Sequence, residues 1–216
     1  MSALTTTGLL GGSFNPAHPG HRAISLAFMR ALGLDELWWL VSPGNPLKPK
    51  AGMAPLAARL ASAQGMARRS PIRATAIEAE LGTRYTVDTL RALVRRYPQR
   101  RFIWLMGADN LAQMHRWRDW RGIARLMPIA VAARPGYDAH ARAAVAMGWF
   151  RPFVRPASQS KQWTTWSMPA LVLLRFPPDP HSATLIRAAD PDWHRRVIPR
   201  RPRDPLTRRL LPEEHS

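Results

Sequence analysis

Short apolar segments alternate along the chain with longer segments in which apolar residues recur at helical spacing. The apolar segments end at Leu10 or cover 36–41, 72–77, 101–106, 128–132 and 170–174, and they are short enough to be buried strands. Apolar residues at helical spacing predict three helices, which begin near Arg22, cover 55–66 and begin at Tyr85. Residues 139–147 are a further candidate helix. Strands that alternate with helices form right-handed crossovers and a parallel sheet. The pattern therefore predicts an α/β fold, a Rossmann-like parallel sheet with helices on both faces.

The first predicted strand ends in a turn that contains two histidines. Residues 9–21 read Leu-Leu-Gly-Gly-Ser-Phe-Asn-Pro-Ala-His-Pro-Gly-His. The glycine pair allows a ligand to approach the backbone, and Pro19 suits the first position of a helix, whose free N–H groups favour phosphate. His18 and His21 are three residues apart, so both rings can reach one phosphate chain. The alternative is that either ring caps the helix or packs locally.

Later predicted strands also end in polar turns. Ligands bind beyond the carboxyl ends of parallel strands, so we expect these turns to lie beside the histidine turn. Lys48 follows strand 36–41 and either tracks charge on a phosphate chain or is a solvated lysine. Asp109 follows strand 101–106 and either caps the next helix or accepts hydrogen bonds from ribose hydroxyls.

Local signals give two helix caps and one acidic pair. Thr86 and Ser182 each precede a predicted helix and are expected to cap it, and the second start also favours an anion. Glu78 and Glu80 follow the predicted strand 72–77. We interpret them as solvated carboxylates rather than an acid–base pair, because alternation at a strand end is typical of exposed side chains.

The composition favours one globular domain in the cytoplasm. A chain of 216 residues that is 46% hydrophobic can build one substantial core. It contains no apolar segment near the roughly 20 residues that cross a bilayer, and no basic-then-apolar signal segment at its start. Cysteine is absent, which fits a reducing compartment, and two histidines alone lack the further ligands of a zinc site.

A formal net charge of +18 implies an anionic partner. Nucleic acid bound through its phosphates and a nucleotide substrate both satisfy this expectation, and an arginine-rich composition can also reflect a GC-rich genome. Arginine and proline prevail beyond Trp193. We therefore predict a domain over 1–194 and a mobile basic tail over 195–216.

The histidine turn resembles the Gly-Gly-Thr/Ser-Phe-Asp/Asn-Pro-x-His-x-Gly-His signature of the nucleotidyltransferases. Within that superfamily the chain most resembles the bacterial nicotinate-nucleotide adenylyltransferases, up to about Arg187. Matching blocks follow in the family's order at 42–48, 84–90, 107–109, 117–120, 134–136 and 181–187. The resemblance implies the nucleotidyltransferase form of the Rossmann-like fold.

The resemblance also implies a reaction, in which nicotinate mononucleotide attacks the α-phosphorus of ATP and pyrophosphate leaves. The implied catalytic residues are His18, His21, Lys48 and Arg187. The implied ATP-binding residues are Gly11, Gly12, Ser13, Phe14, Gly107, Asp109, Ser182 and Thr184. The implied mononucleotide-binding residues are Asn45, Tyr85, Thr86, Trp117 and Arg134. Mg²⁺ is expected to enter with ATP and to bridge phosphate oxygens, with no protein side chain as a metal ligand.

Three positions depart from the family pattern. Arg84 replaces a serine, Arg118 replaces a tyrosine found in many relatives, and His181 replaces a hydrophobic residue. An arginine at position 118 suits the carboxylate of nicotinate.

Other functions stay open at this point. One is a related transferase that uses nicotinamide mononucleotide or phosphopantetheine as acceptor. Another is a basic RNA-binding protein without catalysis on the same scaffold. If the chain is an adenylyltransferase, we expect its partners to be the small-molecule substrates, with no membrane and no required nucleic acid. The sequence leaves open whether it forms a homo-oligomer.

Overall fold

The computed structural model describes residues 4–44, 52–133, 144–177, 179–197 and 202–211. The strands are β1 (Thr5–Gly12), β2 (Glu36–Val41), β3 (Ile72–Thr75), β4 (Arg100–Gly107), β5 (Ile129–Ala133), β6 (Val154–Arg155) and β7 (Leu171–Arg175). The helices are α1 (Pro19–Leu32), α2 (Leu56–Ala67), α3 (Ile77–Leu81), α4 (Thr86–Arg96), α5 (Ala108–Gln113), α6 (Trp120–Leu126), α7 (Val145–Phe150) and α8 (Ala183–Ala189). Short 3-10 segments cover Met114–Arg116, Arg151–Phe153, Ala157–Thr165 and Trp193–Arg196.

Within these described residues, seven parallel strands form one sheet in the order β3-β2-β1-β4-β5-β7-β6. Strand β1 lies between β2 and β4, with Leu9 opposite both Trp38 and Trp104. The direction in which strands are added reverses between β1 and β4. Such a switch point opens a crevice beyond the carboxyl ends of the two strands. The predicted Rossmann-like parallel sheet is confirmed.

Two hydrophobic cores lie on opposite faces of the sheet, because successive strand residues point to opposite sides. Leu9 packs in one core with Leu90 of α4. Its neighbour Leu10 packs in the other core with Phe28 of α1 and Leu60 of α2. The turn that follows β1 is therefore held from both sides of the sheet.

The strand predicted over 72–77 is too long, because β3 ends at Thr75 and α3 begins at Ile77. The Asp204 carboxylate accepts hydrogen bonds from the Thr75 hydroxyl (2.8 Å) and from the Ala76 N–H (2.6 Å). A side chain from the far end of the chain thus takes the N–H group that a continued strand would give to its neighbour.

The segment 202–211, which falls in the predicted mobile tail, packs on the domain. Asp204 and Leu211 are buried, and Leu211 belongs to the core beneath α1 and α2. The side chain of Gln64 donates to the carbonyl of Arg203 over 2.9 Å. This segment is a packed part of the fold, whereas the proposed boundary near residue 194 stays a prediction.

Between β5 and β7 the described residues form α7, strand β6 and two 3-10 segments. The candidate helix 139–147 lies mostly outside the described residues, and α7 begins at Val145. Farther on, Trp163 is buried and donates from Nε1 to the carbonyl of Leu32 over 3.0 Å, which supports the end of α1. None of the helices that the structure describes is long and apolar enough to span a membrane.

Candidate functional site

At the end of β1 the side chain of Trp104 from β4 lies against the backbone of Gly11. A Cβ atom on Gly11 would lie 2.6 Å from Cη2 of Trp104, so any side chain at this position would force the indole to move. Phe14 is buried and stacks on Trp39, with ring centroids 5.0 Å apart. Asn15 is also buried; its Nδ2 donates to the carbonyl of Gly52 over 2.8 Å. Phe14 and Asn15 therefore shape the turn from inside.

The two histidines meet at the start of α1. His18 is the N-cap residue, and its main-chain N–H donates to Nδ1 of His21 over 3.3 Å. The two ring centroids are 3.8 Å apart. Burial and, to a smaller extent, the neighbouring His18 lower the pKa of His21 to about 3, against an opposing effect of Asp179. His21 is therefore a neutral imidazole at physiological pH.

A cavity lies beside these histidines and is called here the histidine cavity. Its polar rim consists of His18, His21, Arg30, Asp179, His181 and Ser182. Its apolar wall includes Ile24 and Ala27 of α1, Ala132 of β5, and Phe176 after β7. A polar rim with an apolar wall suits a ligand with a charged chain and a flat ring system.

The motif at 181–187 joins the histidine turn in space, as predicted. Arg187 donates from Nη1 to the carbonyl of Asn15 (2.6 Å) and from Nη2 to the Thr184 hydroxyl (3.3 Å). Ser182 caps α8, since its Oγ accepts from the Thr184 N–H over 3.3 Å. The histidines and this serine–threonine–arginine cluster therefore surround the same turn.

A second cavity opens on the other side of the turn and is called here the aromatic cavity. Its lining comprises Gly11, Gly12, Ser13, Leu40, Ser42, Gly44, Met53, Glu78, Arg84, Tyr85, Thr86, Trp104, Asn110, Arg116, Trp117 and Arg118. The rings of Trp104 and Trp117 are nearly perpendicular, with centroids 6.4 Å apart. The guanidinium of Arg118 lies 4.7 Å from the centroid of the Tyr85 ring, and its Nη1 lies 3.9 Å from Oδ2 of Asp88. The cavity thus combines aromatic surface with three arginines.

Glu78 is a residue of this cavity that sequence reasoning missed. It lies in the first turn of α3 instead of at a strand end, so the interpretation as a solvated carboxylate is wrong. The Thr89 hydroxyl donates to its Oε1 over 3.1 Å. Burial raises the pKa of Glu78 to about 7, although hydrogen bonds from Thr89 and Ser42 oppose the rise. Glu80, which we also interpreted as a solvated carboxylate, forms an ion pair with Arg96 at 2.9 Å.

Arg59 is a second missed residue, and it lies behind the cavities. Its side chain is buried in α2 and donates to main-chain carbonyls of Ser13 (2.9 Å), Ser42 (2.6 Å) and Ala54 (2.8 Å). One guanidinium therefore links the turn after β1 to the loop after β2. Nothing in the Ala- and Leu-rich sequence of α2 singles out this arginine from a solvated one.

Other predicted site residues lie elsewhere or outside the described part. Gly107 ends β4 and precedes α5, and Asp109 is exposed in the first turn of α5; neither is among the residues that line the two cavities. Tyr85, not Thr86, is the N-cap residue of α4. The extended backbone ends at Tyr85, so the helix begins one residue earlier than a cap at Thr86 would place it. Asn45, Lys48 and Arg134 fall outside the described residues.

The sheet and the two cavities at its switch point define a nucleotide-binding α/β protein, and the comparisons specify its class. Residues 9–189 match the cytidylyltransferase-like family, so the chain belongs to that family. A solved structure of Plasmodium falciparum nicotinic acid mononucleotide adenylyltransferase, complexed with NaAD, superposes with a TM-score of 0.62. It covers 85% of this chain and 83% of its own at 15% identity, which supports the fold alone.

Curated relatives narrow the family. The probable nicotinate-nucleotide adenylyltransferase of Erythrobacter litoralis is 66% identical over 89% of this chain and 88% of its own. The protein of the same name from Parvibaculum lavamentivorans is 54% identical over 83% of this chain and 90% of its own. At these identities the chain belongs to the nicotinate-nucleotide adenylyltransferases.

Proposed function

We propose that the chain joins the AMP moiety of ATP to nicotinate mononucleotide, releasing pyrophosphate, and that each cavity takes one substrate. The observation that supports this division is the shared turn. Its glycine end lines the aromatic cavity and its histidine end lines the histidine cavity. Substrates in the two cavities meet across a few residues of backbone, which is the proximity that a bimolecular transfer requires.

The aromatic cavity suits the mononucleotide. The face of Trp117 offers stacking to the electron-poor pyridine ring, and the arginines at 84 and 118 offer charge to the nicotinate carboxylate. Tyr85 and Thr86 line the same cavity. Gly11, Gly12 and Ser13 also line it, although the resemblance assigns them to ATP, so we place them where the two substrates meet. Asn45 and Arg134 are assigned to the same substrate on the resemblance alone.

The histidine cavity suits ATP. Its apolar wall accepts the adenine ring, while His18, His21 and Ser182 lie where the triphosphate emerges. Arg187 of α8 contacts the carbonyl of Asn15 in the histidine turn and also the Thr184 hydroxyl. These two side chains offer a cation and a hydroxyl to the triphosphate. Gly107 and Asp109 are assigned to the ribose of ATP by resemblance, and Phe14 supports the turn from the core.

The transfer needs positioning and charge neutralisation more than proton transfer. A phosphate oxygen of the mononucleotide attacks the α-phosphorus in line, a new O–P bond forms, and the bond to the bridging oxygen breaks as pyrophosphate leaves with its electron pair. The nucleophile is already an anion. Neutral His21 donates a hydrogen bond where charge accumulates, and Arg187 supplies a fixed cation. Lys48 is proposed to follow the leaving pyrophosphate.

Mg²⁺ is proposed to arrive as the complex of ATP. Among the described residues no group of three or more His, Asp or Glu side chains is placed to hold a metal ion. When bound to ATP, the ion neutralises phosphate charge. The protein residues named above act on the remaining charge and on the orientation of the two substrates.

A pyrophosphate-release assay tests the proposal. The enzyme is supplied with ATP and either nicotinate mononucleotide, nicotinamide mononucleotide or phosphopantetheine, and turnover should be highest with the first. His18→Ala and His21→Ala should each lower turnover by about 10²-fold, and His194→Ala, in a 3-10 turn outside both cavities, should not. Salt-sensitive RNA binding with no turnover on any acceptor would instead identify the non-catalytic alternative. Cytoplasmic location and oligomeric state stay predictions.

A further inference from the structure

A third histidine faces the histidine cavity and has no role in the reaction proposed above. His181 occupies the position at which the family carries a hydrophobic residue, and it lies on the rim of the cavity. Its ring is nearly parallel to that of His18, at an interplanar angle of 18° and a centroid distance of 6.5 Å. The side chain is half-exposed, with 46% of its surface accessible, so it is not a core residue.

Asp179 fixes the orientation of this ring. Its Oδ1 lies 2.8 Å from Nδ1 of His181 and also accepts the main-chain N–H of His181 over 2.9 Å. The carboxylate therefore accepts a hydrogen bond from Nδ1–H, and Nε2 is the ring atom left for a ligand. In this tautomer a neutral ring presents only a lone pair at Nε2, whereas a doubly protonated ring presents a donor.

The charges around this ring are mixed. His18 and His21 lie on the rim from α1, Arg30 lies at the end of the same helix, and Asp179 lies two residues away. Since His21 is neutral, it does not balance the negative charge of a polyphosphate bound at the rim. A further cation on the rim would therefore strengthen binding. A doubly protonated His181 would supply that cation, with its negative partner already bound behind it.

We propose that His181, oriented by Asp179, is a further ATP-binding residue that donates from Nε2 to the triphosphate when both ring nitrogens are protonated. The proposal rests on the placement of ATP in the histidine cavity. Nicotinate mononucleotide, in the other cavity, is unaffected.

The test compares His181→Ile, which restores a hydrophobic residue, with His181→Lys, which keeps a cation. The KM for ATP of His181→Ile should be about tenfold above wild type, as expected for loss of one charge-assisted hydrogen bond. His181→Lys should keep the low KM for ATP. In every case the KM for the mononucleotide should stay within about twofold.

Matched controls separate this contact from structural effects. His194→Ile and His194→Lys, outside both cavities, should leave both KM values unchanged. Binding of ATP alone, measured by calorimetry, should weaken by the same factor in His181→Ile without turnover. An unchanged KM for ATP in His181→Ile, or an equal increase in His181→Lys, overturns the proposal. If His18→Ala also leaves ATP binding and turnover intact, the placement of ATP is wrong as well.

Discussion

The guanidinium of Arg187 donates to the main-chain carbonyl of Asn15 over 2.6 Å, although 172 positions separate the two residues in sequence. This contact joins the last motif of the family to the first one. It places a permanent cation beside the turn that lines both cavities. The same guanidinium also donates to the Thr184 hydroxyl, so its two terminal nitrogens hold two different acceptors.

We expect Arg187→Lys to lower kcat by about 10- to 100-fold, because a lysine keeps the charge but cannot hold both contacts. Steady-state pyrophosphate release measures the effect. Arg195→Lys, whose side chain is exposed, serves as the control and should behave as wild type. A kcat for Arg187→Lys within a factor of two of wild type would contradict the assigned role.

Arg59→Lys should affect stability and both substrates. A lysine cannot reach the carbonyls of Ser13, Ser42 and Ala54 together, so buried acceptors lose their donors. The free energy of unfolding should fall by about 3 kcal/mol, and the KM values for ATP and mononucleotide should rise together. Urea denaturation and kinetics give the two readings. Arg68→Lys, one turn beyond the buried face of α2, should change neither.

Glu78 should make the protein less stable as pH rises from about 4.5 to 7. Its pKa is raised from 4.5 to about 7 in the folded protein, so over this range the unfolded chain has already lost the proton that the folded chain retains. The penalty is fully present above pH 7 and amounts to at most about 3 kcal/mol. Glu78→Gln removes it.

The comparison is made by denaturant unfolding of wild type and Glu78→Gln at pH 4.5 and pH 8. At each pH the free energy of unfolding of the variant is compared with that of wild type. This difference should favour the variant more at pH 8 than at pH 4.5. Asp192→Asn, an exposed carboxylate, is the control. A difference between Glu78→Gln and wild type that is the same at both pH values would exclude a raised pKa at this site.

Arg118→Gln should weaken discrimination between acid and amide substrates. The guanidinium faces the aromatic cavity from above Tyr85, where a carboxylate on the pyridine ring would pair with it. We expect the ratio of kcat/KM for nicotinate over nicotinamide mononucleotide to fall about tenfold. The matched control is Arg121→Gln, since Arg121 stacks on Trp120 at 4.5 Å outside the described cavities. A ratio that stays at the wild-type value would remove Arg118 from substrate selection.

Asp204→Ala should destabilise the fold from the end of the chain. The variant leaves the Thr75 hydroxyl and the Ala76 N–H without their buried acceptor. A loss of about 2 to 3 kcal/mol is expected in thermal or urea unfolding. Asp192→Ala should cost far less, because it removes an exposed carboxylate. Equal losses in the two variants would show that residues 202–211 do not support β3.

The sequence predicts the parts of this fold that depend on local pattern. Strand β2 matches the segment 36–41, and Ser182 caps the helix that it was expected to cap. Glu78 was missed because its neighbourhood reads as a strand, and that strand is ended by Asp204, which lies 128 residues beyond Ala76. Arg59 was missed for a related reason: its partners are carbonyl groups, which any residue supplies and no motif reveals.

Because a single stretch of backbone forms a wall of both cavities, the enzyme offers an inhibitor one place from which to oppose two substrates. A small compound seated across residues 11–21 would block both cavities at once. Under the proposed assignment of substrates it would raise the KM values of both.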